Sequence, residues 1–235
     1  MRVPESLTPL MDQGIIQEVV RPLMSGKEAQ IYLVVSEDEL RVAKVYKTAH
    51  NRSFHQRVEY TEGRAVRNSR TRRAMGRHSR FGRAQDEAAW RTAEVDIIYR
   101  LYDAGLQVPQ PYNFIDGVLI MELVVGMDGD PAPRLADVSL DRESANMVFT
   151  TLLSQVVGML CAGVVHGDLS EFNVLLGQYG PVIIDFPQAV DPAHNQNARK
   201  LLLRDLDNLQ LILAHSNPGQ RLLPYGQELW ALYTH

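Results

Sequence analysis

An α+β chain of two unequal lobes is the fold class this sequence predicts, with a small β-rich lobe first and a reduced, mostly helical lobe second. Three observations predict it. Apolar residues alternate with polar ones between positions 17 and 46, the period of half-buried strands. After position 134 the long apolar stretches follow helical spacing around one short hairpin. Between these halves, Gly126 to Pro133 is rich in Gly, Asp and Pro, as linkers are. The expected division is 1–125 for the first lobe, 126–133 for a hinge and 134–235 for the second. A ligand is expected in the cleft near the hinge.

The elements follow in order. Gln17-Glu18-Val19-Val20 leads through the turn Ser25-Gly26-Lys27-Glu28-Ala29 into Ile31-Tyr32-Leu33-Val34-Val35. Glu37-Asp38-Glu39 is a polar turn, and Leu40 to Tyr46 alternates as a third strand. Residues 51–83 lack sustained apolar periodicity and read as a flexible loop or weakly ordered helix. Ala84 to Ala104 is a helix with Trp90, Val95, Ile97, Ile98, Leu101 and Tyr102 on its apolar face and Gly105 as its stop. Two short strands flank Asp116-Gly117 between Phe114 and Val125. Ser144–Ala162 and Asn197–Ala214 are helices, with a hairpin from Val174 to Ile184 between them.

Composition narrows the class. A chain of 235 residues, 45% hydrophobic and 22% charged, is long enough for a sizeable core and ordinary for a soluble protein. No apolar run reads as a membrane span, and Met1 to Glu5 carries no apolar signal core, so a cytoplasmic location is expected. Cys161 is the only cysteine, which excludes an intrachain disulfide and a cysteine zinc cluster. The net charge of −4 is unevenly spread. Ten arginines and only two acids fall between Asn51 and Gln85, leaving that stretch near +8 and the remainder near −12. With Phe54, Tyr60 and Phe81 interleaved, the segment suits a polyanion such as RNA or a ribosomal particle; a plain solvated loop is the other reading.

The chemistry-bearing stretch is His166-Gly167-Asp168-Leu169-Ser170-Glu171-Phe172-Asn173, followed by Val182-Ile183-Ile184 and Asp185-Phe186. An aspartate, an asparagine five positions on and a second aspartate at a strand end meet the needs of metal-assisted phosphoryl transfer. Asp168 faces the attacking hydroxyl, while Asn173 and Asp185 hold Mg²⁺ (or Mn²⁺) against the phosphates of ATP, since that ion takes oxygen ligands and shares them with phosphate and water. Singly, each of the three is an ordinary turn residue; the spacing is what is specific. His166 is expected to hold the loop by hydrogen bonds.

Lys44 stands mid-strand between apolar neighbours, where an ammonium needs a partner. Glu94 on the following helix is the expected partner, with Glu87 as the fallback, and the pair is expected to bind the nucleotide phosphates. Ser25, Gly26 and Lys27 form a turn that could aim backbone N–H groups at an anion, although one glycine without Gly-Lys-Ser/Thr is no Walker A loop. Met121, Glu122 and Val124, leaving the first lobe, offer an apolar slot and backbone groups for adenine; a plain buried strand is the other reading.

Taken together, the Ser-Gly-Lys-Glu-Ala turn, Lys44 in Val-Ala-Lys-Val-Tyr-Lys, Trp90 to Glu94, His166 to Asn173 and Ile184-Asp185-Phe186-Pro187-Gln188 resemble the RIO family of atypical protein kinases, over roughly residues 12–215. That resemblance implies a bilobal protein-kinase-like fold and an ATP-dependent serine/threonine kinase or ATPase. It implies Asp168 as catalytic aspartate, Lys44 and Glu94 as the phosphate-binding pair, Glu122 and Val124 as adenine contacts, and Asn173 and Asp185 as metal ligands. Asp185 gains a second implied role as a site of transient phosphorylation, and ribosome assembly is the implied setting. Departures from ordinary protein kinases are Ser170 two residues after Asp168 where lysine is usual, Pro187 after Asp-Phe, and no Ala-Pro-Glu. With so few residues before Met11, the winged-helix domain of one branch is not expected. Two other functions remain open: a small-molecule kinase of the aminoglycoside or choline type, and a nucleotide-gated RNA- or ribosome-binding protein with little turnover.

Overall fold

Backbone that must turn back within two residues sets the first sheet. In the computed structural model, which describes residues 3–26, 28–47, 93–214 and 223–234, β2 (Ala29–Ser36) and β3 (Glu39–Tyr46) pair antiparallel from Ala29 opposite Tyr46 to Ser36 opposite Glu39. Glu37 and Asp38 close this hairpin with φ of 53° and 62°. Positive φ at both central residues is what lets a two-residue turn match strand twist; aspartate tolerates it readily, and the unbranched Glu37 better than a β-branched residue would. The same device, Asp116 and Gly117 at φ 50° and 78°, joins β4 (Pro111–Ile115) to β5 (Val118–Glu122). With β1 (Glu18–Ser25) on one edge, the sheet runs β1-β2-β3-β5-β4, antiparallel throughout.

Register decides what each face carries. Ala43 and Val45 share a face with Tyr32, Val34, Val118 and Ile120, and all six are buried. Lys44, one residue out of phase, points to the opposite face. The buried face is covered by a segment for which the sequence reading assigns no element. A 3₁₀ turn, Glu5–Leu7, runs into α1 (Thr8–Asp12), and Leu7, Leu10 and Ile16 pack against the sheet at no more than 1% exposure. Helix α2 is described over 93–103, with Glu94, Val95, Ile98 and Leu101 on its buried stripe.

The chain divides into two compact units. The described residues of Met1–Phe54, Ala65–Tyr99 and Pro109–Leu123 make one, and those of Arg100–Val108 and Val124–His235 the other. The second unit thus claims the end of α2 and the turn after it. Main-chain bonding gives the reason: Gln107 donates to the Gln155 side chain at 2.9 Å and accepts from Ile183 N–H at 2.9 Å. The stretch 126–133, expected as the hinge, turns tightly on itself. Gly126 N–H bonds Asp130 C=O, and Ala132 N–H bonds Val124 C=O.

Within the second unit, α3 (Arg142–Cys161) starts at Asp141, whose side chain accepts from Ser144 N–H at 2.7 Å; those bonds hold its carboxyl below the usual range. By length and composition α3 is apolar enough to cross a membrane, contrary to the sequence reading; its Ala145, Phe149, Leu152, Val156 and Met159 side is buried in the unit. The hairpin β6 (Val174–Gly177) and β7 (Gly180–Ile183) follows, then α4 (Ala198–Ala214) and α5 (Leu223–Thr234), the last without a counterpart in the sequence reading. Helix α4 packs on both α3 and α5.

Candidate functional site

In the first unit, Lys44 Nζ lies 2.6 Å from Glu94 Oε1, and both side chains are buried, at 8% and 1% exposure. The pairing follows from two local periods. Strand alternation turns Lys44 away from the Ala43 and Val45 core, and the helical period sets Glu94 beside Val95 and Ile98 on the buried stripe. Glu87, Trp90 and Lys27 lie outside the described residues, as does the arginine-rich stretch 51–83.

The turn at Ser25 and Gly26 is tied up by its own chain. Gly26 N–H donates to Ala29 C=O at 2.9 Å, so that N–H closes the hairpin and is not aimed at an anion. Lys47, which ends the Val-Ala-Lys-Val-Tyr-Lys motif and has no role assigned from sequence, donates to Gly26 C=O at 2.6 Å and Ser25 Oγ at 3.3 Å. Met121 is partly buried and Glu122 exposed. Glu122 N–H is bonded to Gln110 C=O at 2.8 Å, which leaves the Glu122 carbonyl as the group it could offer to a base.

In the second unit, Val124 is buried and its C=O is bonded to Ala132, so its N–H is the group it could offer. Asp168 reaches the surface between two buried neighbours, Gly167 and Leu169. Gly167 has φ 80°, a conformation only glycine adopts cheaply. His166 is buried, packs at a tilt against Phe186 with ring centres 4.9 Å apart, and bridges the loop to the strand after it. Its Nε2 contacts Ile184 C=O at 3.2 Å and its Nδ1 accepts from Asp168 N–H at 3.3 Å, so the two bonds together require the proton on Nε2. Asn173 Nδ2 donates to Asp168 C=O at 2.8 Å, and Asn173 C=O accepts from Ile184 N–H at 3.0 Å. Asp168, Asn173 and Asp185 are thereby drawn into one neighbourhood.

Asp185 has φ 68°, a left-handed backbone at a non-glycine residue of the kind that clusters where function demands it. Partial desolvation pushes the Asp168 carboxyl above its ordinary range; the charge of Asp185 adds to that and the charge of Arg204 opposes it. A carboxylate and an amide oxygen this close, unlike a thiol or imidazole set, suit a hard divalent cation that completes its shell with phosphate and water. Among the described residues no group of three His, Cys, Asp or Glu converges, so an all-protein metal cage is not what this site offers.

Sequence reasoning missed what holds the loop. Asp205 on α4 is 1% exposed, and its two oxygens accept from Gly167 N–H at 2.7 Å and Leu169 N–H at 2.9 Å. Burial drives its carboxyl up to about 7, although these two bonds and Arg204 oppose the rise. Arg204 donates to Gly167 C=O, and Asn208 Nδ2 to Leu169 C=O at 2.9 Å. A signal existed: Asp205 falls on the stripe of Leu201, Leu202, Leu206 and Leu209, where an acid needs dedicated partners.

Comparison with known proteins gives consistent results. The RIO domain family model matches residues 30–220. The chain is 32% identical over 203 residues to a RIO-type serine/threonine-protein kinase, Rio1, of Haloferax volcanii, covering 85% of this chain and 64% of that one. Against Rio2 of Methanocaldococcus jannaschii identity is 31%, covering 87% and 70%. Against serine/threonine-protein kinase RIO1 of Homo sapiens it is 30%, covering 89% and 36%, so the chain spans well under two thirds of that relative. A solved crystal structure of a kinase domain superposes with a TM-score of 0.57 at 12% identity, over 86% of this chain and 65% of that one, and shares its α+β fold.

Proposed function

The chain belongs to the RIO family, and we propose on that premise that it is an ATP-dependent kinase transferring the γ-phosphoryl group to serine or threonine hydroxyls. The observation that carries the proposal is Asp168, held at the surface by main-chain bonds on both sides with Asn173 and Asp185 beside it. In this reading an Asp168 oxygen receives the hydroxyl proton as the new O–P bond forms and the bond from phosphorus to the β–γ bridging oxygen breaks, releasing ADP. An aspartate with a raised pKa accepts that proton more readily than an ordinary one.

Lys44, fixed by Glu94, presents its ammonium to the α- and β-phosphates. Glu122 C=O and Val124 N–H read the adenine edge against Met121, and Ser25 and Gly26 border the phosphates as a turn already closed by Lys47. Asn173 and Asp185 would hold Mg²⁺ or Mn²⁺, which when bound neutralises phosphate charge. Asp185 is also a second acceptor, so hydrolysis through an aspartyl phosphate belongs to the same proposal. Its charge balance supports RNA or a ribosomal particle as partner of the segment 52–83, tested by salt-sensitive RNA retention that disappears when its arginines become alanine.

A time course with γ-labelled ATP tests the reaction. Label stable to hydroxylamine marks phosphoserine or phosphothreonine, and labile label marks Asp185. Asp168→Ala is expected to abolish transfer and spare ATP binding, and Asp185→Ala to remove the metal-dependent part of nucleotide affinity. Undiminished turnover in purified Asp168→Ala refutes the assignment, and rapid transfer to an amino alcohol or aminoglycoside overturns the protein-kinase reading.

A further inference from the structure

Loops ordinarily run over the surface, where water can take their peptide groups. Around Asp168 that does not happen. The four main-chain polar groups of its two neighbours, N–H and C=O of Gly167 and of Leu169, all go to side chains of one helix. Asp205 takes both N–H groups, Arg204 donates to the Gly167 carbonyl, and Asn208 donates to the Leu169 carbonyl. These three residues stand at i, i+1 and i+4 on α4, so a single rigid element grips both peptides that flank Asp168. Gly167 and Leu169 are buried while Asp168 is exposed, so the grip fixes the backbone and leaves the carboxylate outward.

We infer that Arg204 and Asn208 are positioning residues for Asp168, completing with Asp205 a main-chain clamp that sets where the Asp168 carboxylate points; the inference rests on Asp168 being the proton acceptor proposed above. Two features single out Arg204. It is a cation next to the buried acid in sequence, so the clamp brings both charges to the loop together. Its charge also acts on Asp168 from α4, opposing Asp185, in a chain that carries Ser170 in the loop itself.

The test uses the full chain with Arg204→Met, Arg204→Lys and Asn208→Ala. Hydrogen exchange at the Gly167 and Leu169 amides is read without nucleotide, and kcat and KM for ATP from labelled turnover. Arg204→Met should speed exchange at both amides and lower kcat on the order of 10²-fold, the cost of a small misplacement, with KM for ATP changed less than about threefold. Arg204→Lys, which can still donate to the Gly167 carbonyl, should recover most of both losses. A fall in kcat with unaltered exchange overturns the inference, because Arg204 would then act on the substrate directly. Faster exchange with unaltered kcat, or a loss confined to KM, overturns it equally. If Arg204→Met does not fold, Asn208→Ala opens the other end of the clamp and is judged by the same readouts. Wild-type chain that transfers no phosphate refutes the kinase reading, and the exchange data then decide on the clamp alone.

Discussion

Replacing Glu94 by alanine removes the carboxylate that stands 2.6 Å from the Lys44 ammonium, on a side chain only 8% exposed. Removing one member of a buried pair costs about 3–5 kcal/mol, because the remaining charge loses its compensation and not only its attraction. Lysine's long stem lets the amine move part-way to water, which favours the lower end. Against a whole-domain stability of about 5–15 kcal/mol, that is a large share. At roughly 2–4 °C per kcal/mol for a chain of this length, the unfolding midpoint should fall by about 6–20 °C. The double variant Lys44→Met/Glu94→Leu exchanges both charges for apolar groups of similar size and should return to within about 1 kcal/mol of wild type. Its ATP binding should stay lost, since the ammonium is gone. Urea unfolding followed by circular dichroism measures the first quantity and calorimetric titration with ATP the second. If Glu94→Ala costs under about 1 kcal/mol, or the double variant is no more stable than the single, the pair is not a compensated buried charge and the reasoning fails.

Other predictions concern the loop. The Asp205 carboxyl is raised from 3.8 to about 7, so between those values the folded chain binds a proton that the unfolded chain has released. This group's contribution to stability therefore falls as pH climbs from about 4 to about 7, by up to about 4 kcal/mol, and Asp205→Asn should flatten that slope. An unchanged slope in urea unfolding across this range tells against the assignment. Gly167→Ala forces a side chain into φ 80° and should cost about 1–2 kcal/mol in unfolding free energy while lowering turnover. Full turnover in that variant would mean the loop does not need its left-handed turn.

Much of the architecture was legible because it is local. Alternation located β2 and β3, Asp116-Gly117 marked its hairpin, and the polar run Glu37-Asp38-Glu39 marked the other turn, which the structure closes with Glu37 and Asp38 alone because a two-residue turn takes left-handed backbone at both positions. The need of a mid-strand ammonium for a carboxylate on the following helix pointed to Glu94, with Glu87 as the alternative, and the structure pairs Lys44 with Glu94. Other features turn on neighbours distant in sequence. Only the assembled sheet shows that the amphipathic turn at Leu7 and Leu10 is its cover, and that Gly26 N–H is consumed by Ala29. The motif His166 to Asn173 identifies the chemistry, yet nothing in it says what holds Asp168. That was decided by α4, more than thirty residues on, where Arg204, Asp205 and Asn208 meet the peptides of Gly167 and Leu169. Side-chain type and local period are written in the chain itself, whereas partners for buried polar groups are assigned only when packing removes water and leaves each group the neighbours it has.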